Sequence, residues 1–312
     1  MSVTTLLSRR ADKWRTMSTH SPPRPRVDRA QILGAAESLG IVGGAAGSAS
    51  RILAALCNPQ VRADEVAGLI ERQPALCARV LRVSNSPYYG QPRAVRTIHR
   101  ALVVLGLDAV RGIAAAACLD RSLVRGVGEP PIDFDALLRH SLATAIAAQS
   151  LAQMRHEALA AEAFVAGLLH NFGVAVQMKV DGAGIEAILA ARRSDAEGDI
   201  RALESQYAAV HHEECGAVIF AAWQLPDSIV AAVGHHHDPL TAPAEHRDLA
   251  SLVNLGAILA LGCTRAFALE APPLEPDGSA AASLGLEAAD LETAAAALPG
   301  RVELLHRALF AA

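Results

Sequence analysis

Residues 163–173 read AFVAGLLHNFG, and no other stretch constrains the fold as tightly. Phe164, Leu168 and Phe172 recur at every fourth position and Val165 and Leu169 repeat the step, so two apolar rows share one face of a helix. A polar pair, His170-Asn171, interrupts them. A helix this apolar is buried, and an imidazole in a core without hydrogen bonds costs about 2 kcal/mol or more. His170 therefore needs partners, and the chain offers them only at a distance: His140, then His211 and His212, then His235, His236 and His237. Dispersed positions of this kind meet between the helices of a bundle.

Composition agrees. Apolar residues make up 52% of the 312, but aromatics only 4%, and alanine is abundant, so the core is one of closely packed helices. Alternating strand patterns and repeats of fixed period are absent. The expectation is an all-α helical bundle with no sheet. Cys57, Cys77, Cys118, Cys215 and Cys263 are widely spaced, odd in number and without a C-x-x-C pair, which excludes a readable disulfide framework or zinc ribbon and fits a reducing cytoplasm. Arg9 and Arg10 stand where a secretory signal needs its apolar stretch. Segments 163–178 and 249–264 are 16 residues each and fall short of the roughly 20 that span a bilayer, so no membrane span is expected.

The net charge of −4 is unevenly spread. Residues 1–27 hold six basic side chains (Arg9, Arg10, Lys13, Arg15, Arg24, Arg26) against Asp12, or +5, while the rest carries 22 basic and 31 acidic groups, or −9. This arm is rich in Ser, Thr and Pro and reads as a disordered, solvated leader, with nucleic acid or anionic lipid as the alternative contact. A helix follows over 28–39 and a Gly-rich linker (Gly40, Gly43, Gly44, Gly47) runs to 47; Ser48 or Ser50 then caps the first helix of a domain extending over 48–312. Within it, helices are predicted over 52–57, 63–71 with Asp64 as a start signal, and 74–83 with Pro74 in the first turn. After a polar loop at 84–96, helices continue to 123. A connection at 126–131 leads to a helix capped by Asp133 or Asp135, followed by helices over 158–178, 185–193, 200–209, 212–223, 226–235 and 250–261. Residues 271–283 read as a loop. Residues 284–312 form two C-terminal helices, the last showing an apolar stripe of Leu304, Leu305, Leu309 and Phe310.

Six ordered blocks carry a family likeness: ERQPALCARVLRVSNSPYYG at 71–90, RTIHRALVVLGLDAVRGIA at 96–114, RHS at 139–141, AFVAGLLHNFG, HHEECGAVIFAAWQLPDSIVAAVGHHHDP at 211–239, and LASLVNLGAILALG at 249–262. Together they span roughly residues 45–265 and resemble the HDOD family of bacterial signalling domains, a branch of the HD superfamily of helical metal-dependent phosphohydrolases. The resemblance implies a signature loop at Asn85-Ser86 and an HD-like centre formed by His140, His170, Asn171, His212, His236 and His237, with His211, His235 and Asn254 behind it. Metal-active relatives have a His-Asp dyad and a later Asp. Here the dyad is His170-Asn171 and the later position falls at Ala257; neutral Asn254, one turn away, does not replace a bridging carboxylate.

A binuclear centre needs negative ligands that these positions lack. The primary expectation is thus a non-catalytic regulatory domain without a cofactor, binding a signalling protein or a small ligand and acting alone or through a partner in trans. The alternative is a phosphohydrolase for a nucleotide or cyclic dinucleotide, with zinc, iron, manganese or nickel on the histidines and a carboxylate from Glu213 or Asp238. A third reading is a nucleic-acid-associated regulator using residues 1–27. Ser84, Asn85 and Ser86 read as loop-capping groups and not a nucleophile, Tyr88-Tyr89 and Trp223 as packing residues. No phosphate-cradling glycine motif follows a strand.

Overall fold

The computed structural model describes residues 29–31, 33–35, 45–58, 60–87, 89–119, 132–194, 200–264, 269 and 278–310. The expected arm at 1–27, much of the helix expected over 28–39, the connection at 126–131 and Tyr88 lie outside them. Every regular element among the described residues is helical. The first group comprises α1 (Ala45–Cys57), α2 (Ala63–Glu71), α3 (Pro74–Ser84) and α4 (Ile98–Cys118). Next come α5 (Phe134–Arg155), α6 (Ala160–Leu169), α7 (Phe172–Val180), α8 (Gly182–Ser194), α9 (Ile200–Tyr207), α10 (His212–Ala222), α11 (Asp227–Gly234) and α12 (Arg247–Cys263). Three helices close the chain: α13 (Gly278–Ser283), α14 (Ala288–Ala296) and α15 (Leu298–Phe310).

Local chemistry sets several boundaries. Pro74 opens α3, where its missing N–H is not needed. Asp133 caps α5, its carboxylate accepting from the Asp135 and Ala136 N–H groups. Other boundaries differ from expectation. Helix α1 begins at Ala45, so Gly47 is helical and Ser48 and Ser50 lie inside the helix and not at its start; Ser50 is buried. Asp64 sits in the first turn of α2 after Arg62, where its charge favours the helix dipole. Residues 278–283 are helical and not loop, and Leu304 is exposed while Val302, Leu305 and Leu309 form the buried stripe of α15.

The most consequential difference is at 158–178, which is not one helix. It breaks at His170-Asn171 into α6 and α7. Gly173 supplies the reason: a Cβ there would overlap the His212 carbonyl, so the start of α7 lies directly against the start of α10. The break lets one segment pack on α5 and the next on α10.

Helix α5 is the centre of the core. Fifteen of its residues are buried, and it packs most extensively on α12 and α6, with α15 and α14 closing another side. Gly167 on α6 and Gly256 on α12 sit so close to the α5 backbone that any side chain there would collide with it. Two segments, Ile98–Cys118 and Glu157–Val180, are long and apolar enough by composition to cross a bilayer. Within the fold, 56% and 78% of these windows are buried; Gly106 breaks the first and the His170-Asn171 turn the second.

Candidate functional site

Five histidines meet where these elements converge. His140 lies on α5, His170 ends α6, His212 opens α10, and His236 and His237 occupy the turn after α11. His140, His170, His212 and His236 are essentially inaccessible, and His237 is half-buried. Ring centroids run in a connected series: His140 to His170 at 5.3 Å, His170 to His236 at 4.9 Å, and His236 to His237 at 4.3 Å. His212 lies 5.1 Å from both His236 and His237.

Carbonyl and carboxylate partners fix the ring nitrogens. His170 Nδ1 is 2.7 Å from the Gly167 carbonyl and His236 Nδ1 is 2.8 Å from the Val233 carbonyl. A carbonyl only accepts, so each Nδ1 carries the proton and each neutral ring keeps its lone pair on Nε2. His212 Nδ1 lies 2.9 and 3.0 Å from the two oxygens of Glu204, which orients that ring the same way. The consequence is a convergence of Nε2 atoms: His212 is 3.2 Å from His236 and 3.2 Å from His237. Burial, and then the neighbouring His237, His170 and His212, push the pKa of His236 well below its ordinary value and keep it neutral.

Glu204 is 1% exposed and its local sequence gives no sign of this role. Burial alone would raise its pKa; the His212 charge and hydrogen bond, with Gln177 Nε2 at 2.9 Å and the His212 N–H at 3.0 Å, outweigh burial and hold it low. Gln177 also donates to the Val210 carbonyl, tying α7 to the segment that leads into α10. The signal that was available is Gln177, a polar residue in the apolar run AVQMKV, but no spacing links it to Glu204.

Glu213 and Asp238, the carboxylates expected to complete a metal centre, are turned elsewhere. Glu213 pairs with Arg201 at 3.2 Å and accepts from the His237 N–H at 3.2 Å, and Asp238 lies 3.7 Å from Arg201. Burial raises the Glu213 pKa, opposed by His212 and Arg201. His211 binds Ser205 and His235 binds Thr241, both on the outer side. Asn254 does stand behind the centre, donating to the His236 carbonyl at 2.7 Å. Asn171 is buried at the α6–α7 turn, and Ala257 is buried on α12. The loop residue Asn85 is structural: its amide donates to the Leu81 and Val95 carbonyls and its oxygen accepts from the Val95 N–H. Ser84 donates to the Leu81 carbonyl, Tyr89 packs on the core, and Trp223 is core, as expected.

The donor set fits a metal ion. At the Zn–N distance of about 2.0–2.1 Å, tetrahedral geometry places ligand nitrogens about 3.3 Å apart, close to the two separations of 3.2 Å from His212. His212, His236 and His237 each offer one such nitrogen, all within 4.8 Å of one another, and Glu204 supplies the carboxylate behind a ligating imidazole that metal sites use.

An all-α bundle gathering buried histidines from four separate segments defines a domain of the HD type. The chain belongs to the HDOD domain family, whose model matches residues 45–239. It is similar to an HDOD domain protein of unknown function from Geobacter sulfurreducens, with 24% identity, a TM-score of 0.69, and 91% of this chain and 100% of that one covered. It is also similar to a Marinobacter aquaeolei protein provisionally named for signal transduction, with 24% identity, a TM-score of 0.75 and coverage of 94% and 67%. At these identities the structures show a shared fold. An uncharacterized protein of Treponema pallidum is 28% identical over 202 residues, which is 64% of this chain; the chain spans 38% of that relative's length.

Proposed function

We propose that this chain is a regulatory output module that acts by binding a signalling partner and does not hydrolyse phosphoesters. The direction of its carboxylates carries this reading. Among the described residues no carboxylate faces the Nε2 side of the centre: Glu204 is spent on His212 Nδ1, Glu213 and Asp238 are turned to Arg201, and Asn171 and Ala257 hold the two positions that acids occupy in metal-active relatives. Without them nothing bridges two cations or balances their charge beside a bound phosphate. The Marinobacter neighbour's provisional place in signal transduction supports the same reading.

The facing Nε2 atoms favour a second reading of the pocket. Nε2 atoms 3.2 Å apart need either a shared proton or a metal ion between them, and His212, His236 and His237 suit one zinc, nickel, iron or manganese ion. Such an ion would supply Lewis acidity when bound, while Glu204 and the Val233 carbonyl hold His212 and His236 in register.

One pair of measurements tests both readings. Purified protein is assayed for metal by elemental analysis, then loaded with manganese, iron or zinc and offered bis(p-nitrophenyl) phosphate and cyclic dinucleotides. The expected result is no hydrolysis above the His212→Ala background in any metal. Turnover abolished by His212→Ala would overturn the regulatory reading. One equivalent of metal, lost in His212→Ala and without turnover, would establish the single-ion pocket; metal at background in the wild type would remove it.

A further inference from the structure

The segment that carries the Asn85 loop is basic and holds no carboxylate. Between Glu71 and Asp108 stand six arginines (Arg72, Arg79, Arg82, Arg93, Arg96, Arg100) and no Asp or Glu. Five of them, all except Arg79, are exposed. Several surface arginines elsewhere are matched, Arg111 with Asp108, Arg139 with Asp135 and Glu303, Arg155 with Asp290, and Arg307 with Glu303, although exposed Arg247 is held only by the Ala242 carbonyl. Among the described residues Arg72, Arg93, Arg96 and Arg100 make no ion pair.

These charges are held in a fixed frame. Asn85 joins the end of α3 to Val95 through hydrogen bonds of 2.9 and 2.7 Å, and the Tyr89 N–H closes a turn on the Ser86 carbonyl. Arg93 lies within this closed loop and Arg96 directly follows the Val95 that closes it. Thr97 then caps α4, whose positive amino end points to the same region. One turn after Arg100 is Val103, 73% exposed and the most exposed large apolar side chain among the described residues. Arg100 and Val103 share one face of α4 at i, i+3 spacing, and Arg96 directly precedes the Thr97 cap.

We propose that this face is the docking site for an acidic segment of a partner protein, with carboxylates on Arg93, Arg96 and Arg100 and an apolar side chain on Val103. The inference deepens the partner-binding reading and rests on it. Guanidinium groups pair with carboxylates bidentately, and a preset loop loses little freedom when a ligand arrives. A nucleic-acid backbone fits less well. Asp64 and Glu71, 3.7 and 3.8 Å from His99, end the positive face on that side, so it is short and suits a short acidic segment better than a long phosphate backbone. Val103 gives a phosphate backbone nothing to bind, and half-buried Tyr89 is poorly placed as a stacking platform.

The test uses the full chain and fluorescence anisotropy at about 50 mM NaCl, where Coulomb contacts are weakly screened. The probes are a labelled peptide of about twelve residues repeating Glu-Glu-Leu and a labelled DNA duplex. The expected result is peptide binding that weakens roughly tenfold or more in Arg93→Glu/Arg96→Glu/Arg100→Glu, less in the corresponding Gln variant and in Val103→Asp, and weakens again in high salt. Circular dichroism melts of the variants report whether they fold. Peptide bound equally by wild type and the triple Glu variant would overturn the proposal while leaving partner binding in place. So would loss of binding only when Arg9, Arg10, Lys13 and Arg15 are changed to Gln, no peptide binding by the wild type, or tighter binding of the duplex.

Discussion

The histidine centre and the arginine loop are opposite solutions to placing polar groups. The centre draws on α5, α6, α9, α10 and the turn after α11, and its members are buried. The loop is one continuous segment, and its charged groups are exposed. In the centre each polar atom must be answered by another, because water is not available to do it. At the loop water solvates whatever is unpaired, so charge can be left free for a partner at little cost to stability. The first region is therefore fragile to single substitutions and the second tolerant of them.

Glu204 offers the sharpest test of that contrast. Glu204→Ala strands His212 Nδ1, the His212 N–H and one donor hydrogen of Gln177 in the core, and removing one member of a buried charged pair costs about 3–5 kcal/mol. For a domain of this size the melting temperature should fall by roughly 2–4 °C per kcal/mol. Glu204→Gln keeps an acceptor for His212 and should recover part of the loss. A melting temperature for Glu204→Ala within a degree of wild type would show that the centre is more hydrated than its burial implies and would erase the contrast.

Asn85 tests the loop's framework at an intermediate level. Its side chain makes three hydrogen bonds to the main chain at partly exposed positions, so Asn85→Ala should cost about 1–2 kcal/mol, less than Glu204→Ala. Amide hydrogen exchange gives the finer check, since the Val95 N–H loses its acceptor and should lose protection, while amides in α5 keep theirs. Unchanged protection at Val95 would mean that the loop is held by packing and not by its asparagine.

The two regions also differ in how they can be read. The helical bundle was legible because apolar spacing is local: α2 and α3 lie close to their expected bounds, and α5 starts at the Asp133 cap. His170 was legible as needing dispersed histidine partners because a buried imidazole demands one, and the family resemblance implied which five. Glu204 was not, since α9 meets α10 and α7 only in three dimensions and a glutamate in IRALESQY looks solvent-facing. The break at His170-Asn171 was hidden for a related reason. The apolar rows continue across it, and only the approach of Gly173 to His212 redirects the chain. Glu213 and Asp238 show the converse error: adjacency to His212 and His237 in sequence suggested ligands, but Arg201, from a separate helix, claims both.

The smallest expected effect is on stability at the loop. Arg96→Gln and Arg100→Gln remove exposed side chains without ion pairs and leave the Thr97 cap intact, so the folding free energy should move by no more than about 0.5 kcal/mol. Relief of like-charge repulsion can even make the double variant slightly more stable, and that gain should shrink as salt rises, because only screened surface charge is involved. Denaturant titrations at low and high salt measure both quantities. A loss above about 1 kcal/mol would mean that these arginines hold the α3–α4 pair together, and a surface spent on its own fold would have less to offer a partner.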